Sequence, residues 1–248
     1  MQTYQAPDSL LADKVILVTG AGDGIGKEAA LTFAHYGATV ILLGKTTHKL
    51  TAVYDQICAQ GDPEPAIIPL DLKGATQQNY LDLAATIEAE FGRLDGLLHN
   101  AGILGGLAPF EHIKQDIWND ILQVNLTGPM LLTQALLPVL KKAEHGSIVF
   151  TSSGVGRQGR AYWGGYAVSK FATEGLMQTL ADEFSGSSLR VNCINPGATR
   201  TTMRARAYPA ENSQLLKTPA DLMWLYLYLM GNDSMAVNGQ SLDAQPKN

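Results

Sequence analysis

Six short apolar runs rich in β-branched residues recur along the 248-residue chain, at Val15–Thr19, Thr39–Leu43, Ala66–Leu70, Leu94–His99, Ser147–Thr151 and Leu189–Ile194. The segments between them are long enough for crossover helices, and this rhythm predicts a parallel sheet with helices on both faces. Val40-Ile41-Leu42-Leu43 shows no polar alternation, as a strand covered on both sides should not. A seventh, short strand is expected at Gln240–Asp243, after the turn signal Asn238-Gly239. Apolar residues at spacings of three and four predict helices at Gly26–Tyr36, Asn79–Phe91, Ile113–Leu140 and Tyr166–Phe184, with Pro138 ending or kinking the third. No repeat or linker interrupts the pattern, so residues 1–248 read as one doubly wound α/β domain.

Composition narrows the function classes. At 46% hydrophobic and 17% charged residues, the chain is neither disordered nor fibrous. Its net charge of −5 offers no general attraction for nucleic acid or anionic lipid. Two cysteines, Cys58 and Cys193, are too few for a disulfide scaffold and read as buried free thiols in a reducing compartment. Met1–Asp13 lacks the basic start and apolar stretch of a secretory signal. Met223–Met230, the longest apolar run, falls well short of the roughly 20 residues that span a bilayer, and reads as a buried helix. A cytoplasmic protein is expected.

The first strand runs directly into Thr19-Gly20-Ala21-Gly22-Asp23-Gly24-Ile25-Gly26 and then into a helical pattern. In such a turn Gly20 avoids a Cβ clash, Gly24 lets backbone amides approach a pyrophosphate, and Gly26 lets the helix lie close on its strand. The helix N-terminus receives the anion. The spacing is T-G-x-x-x-G-x-G rather than G-x-G-x-x-G.

Tyr166 and Lys170 stand four residues apart, on one face of a helix. A free phenol, with a pKa of about 10, is a poor base at neutral pH. A neighbouring lysine cation is expected to lower that value. Ser153, thirteen residues before Tyr166, follows a strand end that should face the ligand crevice. Its hydroxyl could stabilise a developing oxyanion while Tyr166 transfers the proton. Ser152 competes for that role, because alternation along a strand turns only one of the two toward the site.

Together these residues resemble the short-chain dehydrogenase/reductase superfamily in its compact single-domain form. The match runs through Thr19–Gly26, Asp71-Leu72, a His99–Gly102 version of N-N-A-G, Asn125, Ser153, Tyr166, Lys170 and Pro196-Gly197. Within it, Phe150–Phe171 and Asn192–Met203 are similar to a bacterial subgroup, the YciK-type oxidoreductases. The resemblance implies a Rossmann-type fold and hydride exchange between a nicotinamide dinucleotide and a small carbonyl or alcohol. It implies that Gly20, Gly22, Asp23, Gly24, Ile25 and Gly26 cradle the dinucleotide, that Asp71 and Leu72 lie at the adenine, and that Asn100, Ala101 and Gly102 line the channel. Lys170 would bind the nicotinamide ribose as well as tune Tyr166, and Asn125 would hold a water connecting Lys170 to solvent. Pro196, Gly197, Thr199 and Thr201 would border the nicotinamide, with Thr201 bonding its carboxamide. His99 departs from the pattern and reads as a hydrogen-bonded structural histidine.

NADP(H) is favoured over NAD(H), because Gly44-Lys45-Thr46-Thr47 holds no carboxylate where an acid would bond the ribose 2′-hydroxyl. Lys45 could neutralise a 2′-phosphate, and could pair with Asp23, which otherwise opposes it. Arg157, Arg160, Arg200, Arg204 and Arg206 could select an anionic substrate. Leu104, Tyr162, Trp163 and Met203 could form an apolar pocket wall. The helices Asn119–Leu140 and Tyr166–Phe184 carry more apolar surface than one sheet face covers, and by analogy with the superfamily they pair in a homodimer or homotetramer. A different class, a non-catalytic NAD(P)(H)-sensing binding protein, would use the same fold without turnover.

Overall fold

Among residues 4–246, which the computed structural model describes, seven strands form one parallel sheet. In chain order the elements are β1 (Val15–Thr19), α1 (Gly24–His35), β2 (Thr39–Gly44), α2 (Thr47–Gln60), β3 (Ala66–Pro69), α3 (Gln77–Phe91), β4 (Gly96–His99), α4 (Gln115–Leu122), α5 (Gly128–Leu140), β5 (Gly146–Thr151), α6 (Gly164–Glu183), β6 (Leu189–Asn195), α7 (Thr202–Ala207), α8 (Met223–Met230) and β7 (Ser241–Asp243). The strand order β3-β2-β1-β4-β5-β6-β7 reverses direction between β1 and β4. Ligand crevices of open α/β sheets lie at that switch point, beyond the strands' C-terminal ends.

Alternation along each strand divides the core. Ile16, Val18, Val40 and Leu42 pack with α1, α2 and α8, while Leu17, Ile41, Leu43 and Leu97 pack with α3, α5 and α6. Both sets are almost completely buried, which explains why the strands are apolar throughout. α3 starts at a reciprocal capping box between Thr76 and Asn79 and ends at Gly92 with φ 75°. Met223–Met230 is a buried helix, as its composition suggests. No helix among the described residues is long and apolar enough to cross a membrane.

Three expectations are corrected. The helix expected over Ile113–Leu140 is divided, because a π-helical turn at Gln123–Thr127 separates α4 from α5. Pro138 lies two residues before the end of α5. Helix α2 is missing from the sequence reading, although Leu50, Val53 and Ile57 supply the three-and-four spacing and are its buried face. Cys193 is buried but Cys58, on α2, is exposed; both are free.

Candidate active site

The candidate residues gather at one edge of the sheet, where β1 through β6 end. Thr19, the last residue of β1, ties this edge together. Its hydroxyl donates to the Leu98 carbonyl at 3.3 Å and accepts from the Asn100 and Ala101 amides, each at 3.0 Å. Asn100 donates to the Thr19 carbonyl and accepts from the Thr151 hydroxyl, both at 3.4 Å. The ends of β1, β4 and β5 are thereby held in one frame.

Gly20 has φ 68°, and a Cβ there would come within 3.0 Å of the Ala101 backbone. At Gly26 a Cβ would enter the space of the Gly20 carbonyl and the Asn100 carboxamide, so α1 starts in contact with the turn before it. Asp23 stands at the α1 N-cap without making a side-chain cap bond and pairs with Lys49 at 2.6 Å. That cation holds its carboxyl below the usual carboxylate range. Lys45, expected as the possible partner of Asp23, is exposed and forms no ion pair among the described residues. The partner is Lys49, which reaches back from the first turn of α2; only the tertiary fold brings it to Asp23. Ile25 packs on the core beneath the turn, and Gly22 lies against Lys49.

Asp71 is exposed and accepts from the Lys73 amide at 3.1 Å, while Leu72 is buried. Gly102 passes close to Asn125, and a Cβ there would lie 3.3 Å from Asn125 Oδ1 and 3.9 Å from Lys170 Nζ. Asn125 is buried in the π-helical turn. Its Oδ1 accepts from the Ile103 amide at 2.8 Å, and its Nδ2 donates to the Ile103 carbonyl and to Ser169 Oγ, each at 3.0 Å. π-bulges of this kind often mark functional positions.

Ser152 and Ser153 point apart. Ser152 is buried and donates to Glu174 at 2.5 Å, whereas the half-buried Ser153 hydroxyl faces the Tyr166 phenol. Tyr166 and Lys170 are both buried on α6, and Lys170 Nζ lies 5.6 Å from the centre of the Tyr166 ring. The expected depression of the phenol is not observed: burial pushes Tyr166 up to about 12, with the Ser153 hydrogen bond pulling weakly downward. The reason is geometric. Lys170 donates to the Thr151 carbonyl at 2.7 Å rather than to the phenol, and burial of the phenol dominates. Burial brings Lys170 itself down to about 8.

His99 is buried, stacked on Phe150 at 4.6 Å and bonded through Nε2 to Thr133 at 2.8 Å. Burial, aided by the Lys170 cation, lowers it to about 3, so it is a neutral structural residue as expected. Leu104, Trp163 and Met203 pack with Tyr166, but Tyr162 is exposed and stands outside that wall. The arginines expected to greet an anion are mostly engaged within the protein. Arg157 pairs with Asp243, Arg200 donates to the Ser213, Gln214 and Leu216 carbonyls, and Arg204 makes a two-pronged pair with Glu211. Arg160 donates to the Tyr208 hydroxyl at 2.8 Å.

After β6, Gly197 has φ 71° and Thr199 is buried. Thr201 caps α7, accepting from the Arg204 amide at 3.1 Å, and its methyl would lie 3.4 Å from a Cβ at Gly24. The α7 segment therefore sits against the glycine turn, and a cleft of about 470 Å³ opens between Asp23-Gly24 and Arg200–Leu216.

Residues 14–212 match the short chain dehydrogenase family. The chain belongs to the short-chain dehydrogenases. This short-chain dehydrogenase is 57% identical, over 98% of its length and 96% of the relative's, to YciK of Escherichia coli K12, described as an uncharacterized oxidoreductase. Two solved structures superpose with TM-scores of 0.95. One, from Shigella flexneri 2a and complexed with NADP, is 56% identical and covers 97% of this chain and 100% of its own. The other, from Escherichia coli CFT073 and complexed with NADPH, has the same identity and coverage. The short-chain dehydrogenase is an oxidoreductase, and its family binds nicotinamide cofactors.

Proposed function

We propose that the protein reduces a small carbonyl compound, or oxidises the corresponding alcohol, with NADP(H), through Asn125, Ser153, Tyr166 and Lys170. The observation that carries this reading is the buried Tyr166–Lys170 pair on α6 with the Ser153 hydroxyl facing the phenol. The glycine turn suits a dinucleotide: Gly24 lines the cleft with φ 54°, and α1 opens without a side-chain cap on its first amides. When bound, the cofactor exchanges hydride at its nicotinamide ring.

A phenol held near 12 is fully protonated at neutral pH and is therefore a donor, suited to protonating a carbonyl oxygen as it gains charge. Ser153 donates to the same oxygen. Lys170 brings a positive charge near the phenol and a donor for ribose hydroxyls. Asn125 holds the Gly102-Ile103 backbone, and its own carbonyl, in the loosened π-helical turn, offers an acceptor for a relaying water.

The preference for NADP(H) rests on two observations. No carboxylate stands at Gly44–Thr47, and Asp23 is already paired with Lys49, so its charge does not oppose a 2′-phosphate unscreened. The Thr46 side chain makes no cap bond, which leaves the first amides of the 14-residue α2 free for an anion beside Lys45. Exposed Met130 on α5 and Val168 and Phe171 on α6 support pairing with a second copy. Residues 1–248 act as one domain in this reading, working in the cytoplasm.

Fluorescence titration with NADPH and NADH, followed by a carbonyl panel read by loss of NADPH absorbance, tests the proposal. Tyr166→Phe should bind NADPH as the parent does and lose turnover by more than 100-fold, the order expected for general acid catalysis. Undiminished turnover in that variant would overturn Tyr166 as the proton donor, and binding without turnover on every compound would favour the sensing role. A single species of 26.6 kDa in gel filtration would overturn the oligomer.

A further inference from the structure

The loop after β6 is held from outside by the C-terminal segment. Gln245 Nε2 donates to the Pro196 carbonyl at 2.8 Å and the Ala198 carbonyl at 3.0 Å, and lies 3.4 Å from Thr199 Oγ1. One carboxamide group thus gathers two carbonyls that flank Gly197. Gly197 makes the approach possible: its φ is 71°, and a Cβ there would lie 3.1 Å from the same nitrogen. Neighbours brace the arrangement. Ala244 donates from its amide to the Asn195 carbonyl at 3.0 Å, Asn195 Nδ2 donates to Asp243 at 2.8 Å, and Asn195 Oδ1 accepts from the Gly197 amide at 3.2 Å. Thr199 in turn donates to the Pro196 and Gly197 carbonyls, each at 3.3 Å, and its carbonyl lies 3.5 Å from the Thr201 hydroxyl. The turn is thus tied from within by Asn195 and Thr199, and from outside by the half-buried Gln245, which bridges its Pro196 and Ala198 carbonyls.

We propose that Gln245 is a positioning residue for the nicotinamide half of the cofactor: its carboxamide sets the shape of Pro196–Thr199 and hence where Thr199 and Thr201 stand. This rests on the reading that this loop borders the nicotinamide. Gln245 does not touch the adenine side, whose candidate residues Lys45, Asp71 and Leu72 lie on loops after β2 and β3, at the far side of the sheet order. Its removal should therefore weaken half of the ligand selectively.

The test compares NADPH with adenosine 2′,5′-bisphosphate, which keeps the adenine half and lacks the nicotinamide. Both are titrated into the parent, Gln245→Met, which keeps length and loses the donor, and Gln245→Glu, which sets a carboxylate against two carbonyls. NADPH affinity should fall about tenfold in Gln245→Met, the loss of about 1.4 kcal/mol of hydrogen bonding, and further in Gln245→Glu. Affinity for the bisphosphate should stay within about twofold, a selectivity that a general loss of structure would not show. Equal weakening of both ligands, or unchanged NADPH affinity in both variants, would overturn the role of Gln245. A parent protein that gains no affinity from the nicotinamide half would instead overturn the reading of the loop, and the inference with it.

Discussion

Lys170→Met should make the protein more stable at neutral pH while removing its activity. Burial lowers the Lys170 ammonium from 10.5 to about 8. In free energy that is about 3 kcal/mol by which the folded state disfavours the charged lysine. Methionine has similar length and no charge to desolvate, so it relieves this penalty. The offsetting loss is the hydrogen bond to the Thr151 carbonyl at 2.7 Å, about 1 kcal/mol for a buried acceptor left unpaired. The net gain is about 2 kcal/mol, which in a domain of this size raises the melting temperature by about 4–8 °C. The pH dependence identifies the cause. Between about 8 and 10.5 the unfolded chain holds the Lys170 proton more tightly than the folded one, so parent stability rises with pH through that window. The advantage of Lys170→Met is full below pH 8 and disappears above 10.5. Urea unfolding of both proteins at intervals from pH 6.5 to 10.5 measures it. A variant less stable than the parent at pH 7, or a difference that does not change with pH, would refute the desolvation argument. The confirmed result would mean that Lys170 is kept for its chemistry at the expense of the fold.

Three further predictions concern neighbouring features. Glu174→Ala strips the acceptor from the Ser152 and Ser241 hydroxyls, at 2.5 and 2.7 Å, and should destabilise by about 3 kcal/mol in denaturant unfolding, with Glu174→Gln losing less than half of that; equal losses would refute the hydrogen-bond account. Tyr80→Phe should leave stability unchanged or raise it by about 1 kcal/mol, because the buried Tyr80 hydroxyl has no hydrogen-bond partner among the described residues, and a loss above about 1 kcal/mol would show that it has one. Lys49→Ala releases Asp23 from its ion pair and should shift the ratio of NADPH to NADH affinity toward NADH by about fivefold, about 1 kcal/mol of screened repulsion; an unchanged ratio would remove Asp23 from the cofactor argument.

Much of this architecture is legible in the residue order. Strands β1 to β6 occur where the apolar runs fall, most plainly β1 and β2, whose central residues are buried on both faces. The glycine turn is equally plain, since its geometry excludes side chains at named positions. The break between α4 and α5 is legible only in part. Gly128-Pro129 marks it, because proline has no amide hydrogen for the Asn125 carbonyl four residues earlier, but the π-helical turn is secured by bonds from Asn125 to Ile103 and Ser169, partners 22 and 44 residues away. The partner of Asp23, the engagement of the arginines and the upward direction of the Tyr166 pKa are invisible for the same reason: each depends on what surrounds a group in space.

The order of residues by itself determined the parallel sheet, the glycine turn after β1 and the placing of Tyr166 and Lys170 on one helix face, because hydrophobic period, helix geometry and backbone sterics act over a few neighbouring residues. The tertiary structure alone decided which serine faces the phenol, which lysine neutralises Asp23, and that Gln245 holds the loop after β6. Desolvation and hydrogen bonding between distant segments exist only once the chain has closed around them.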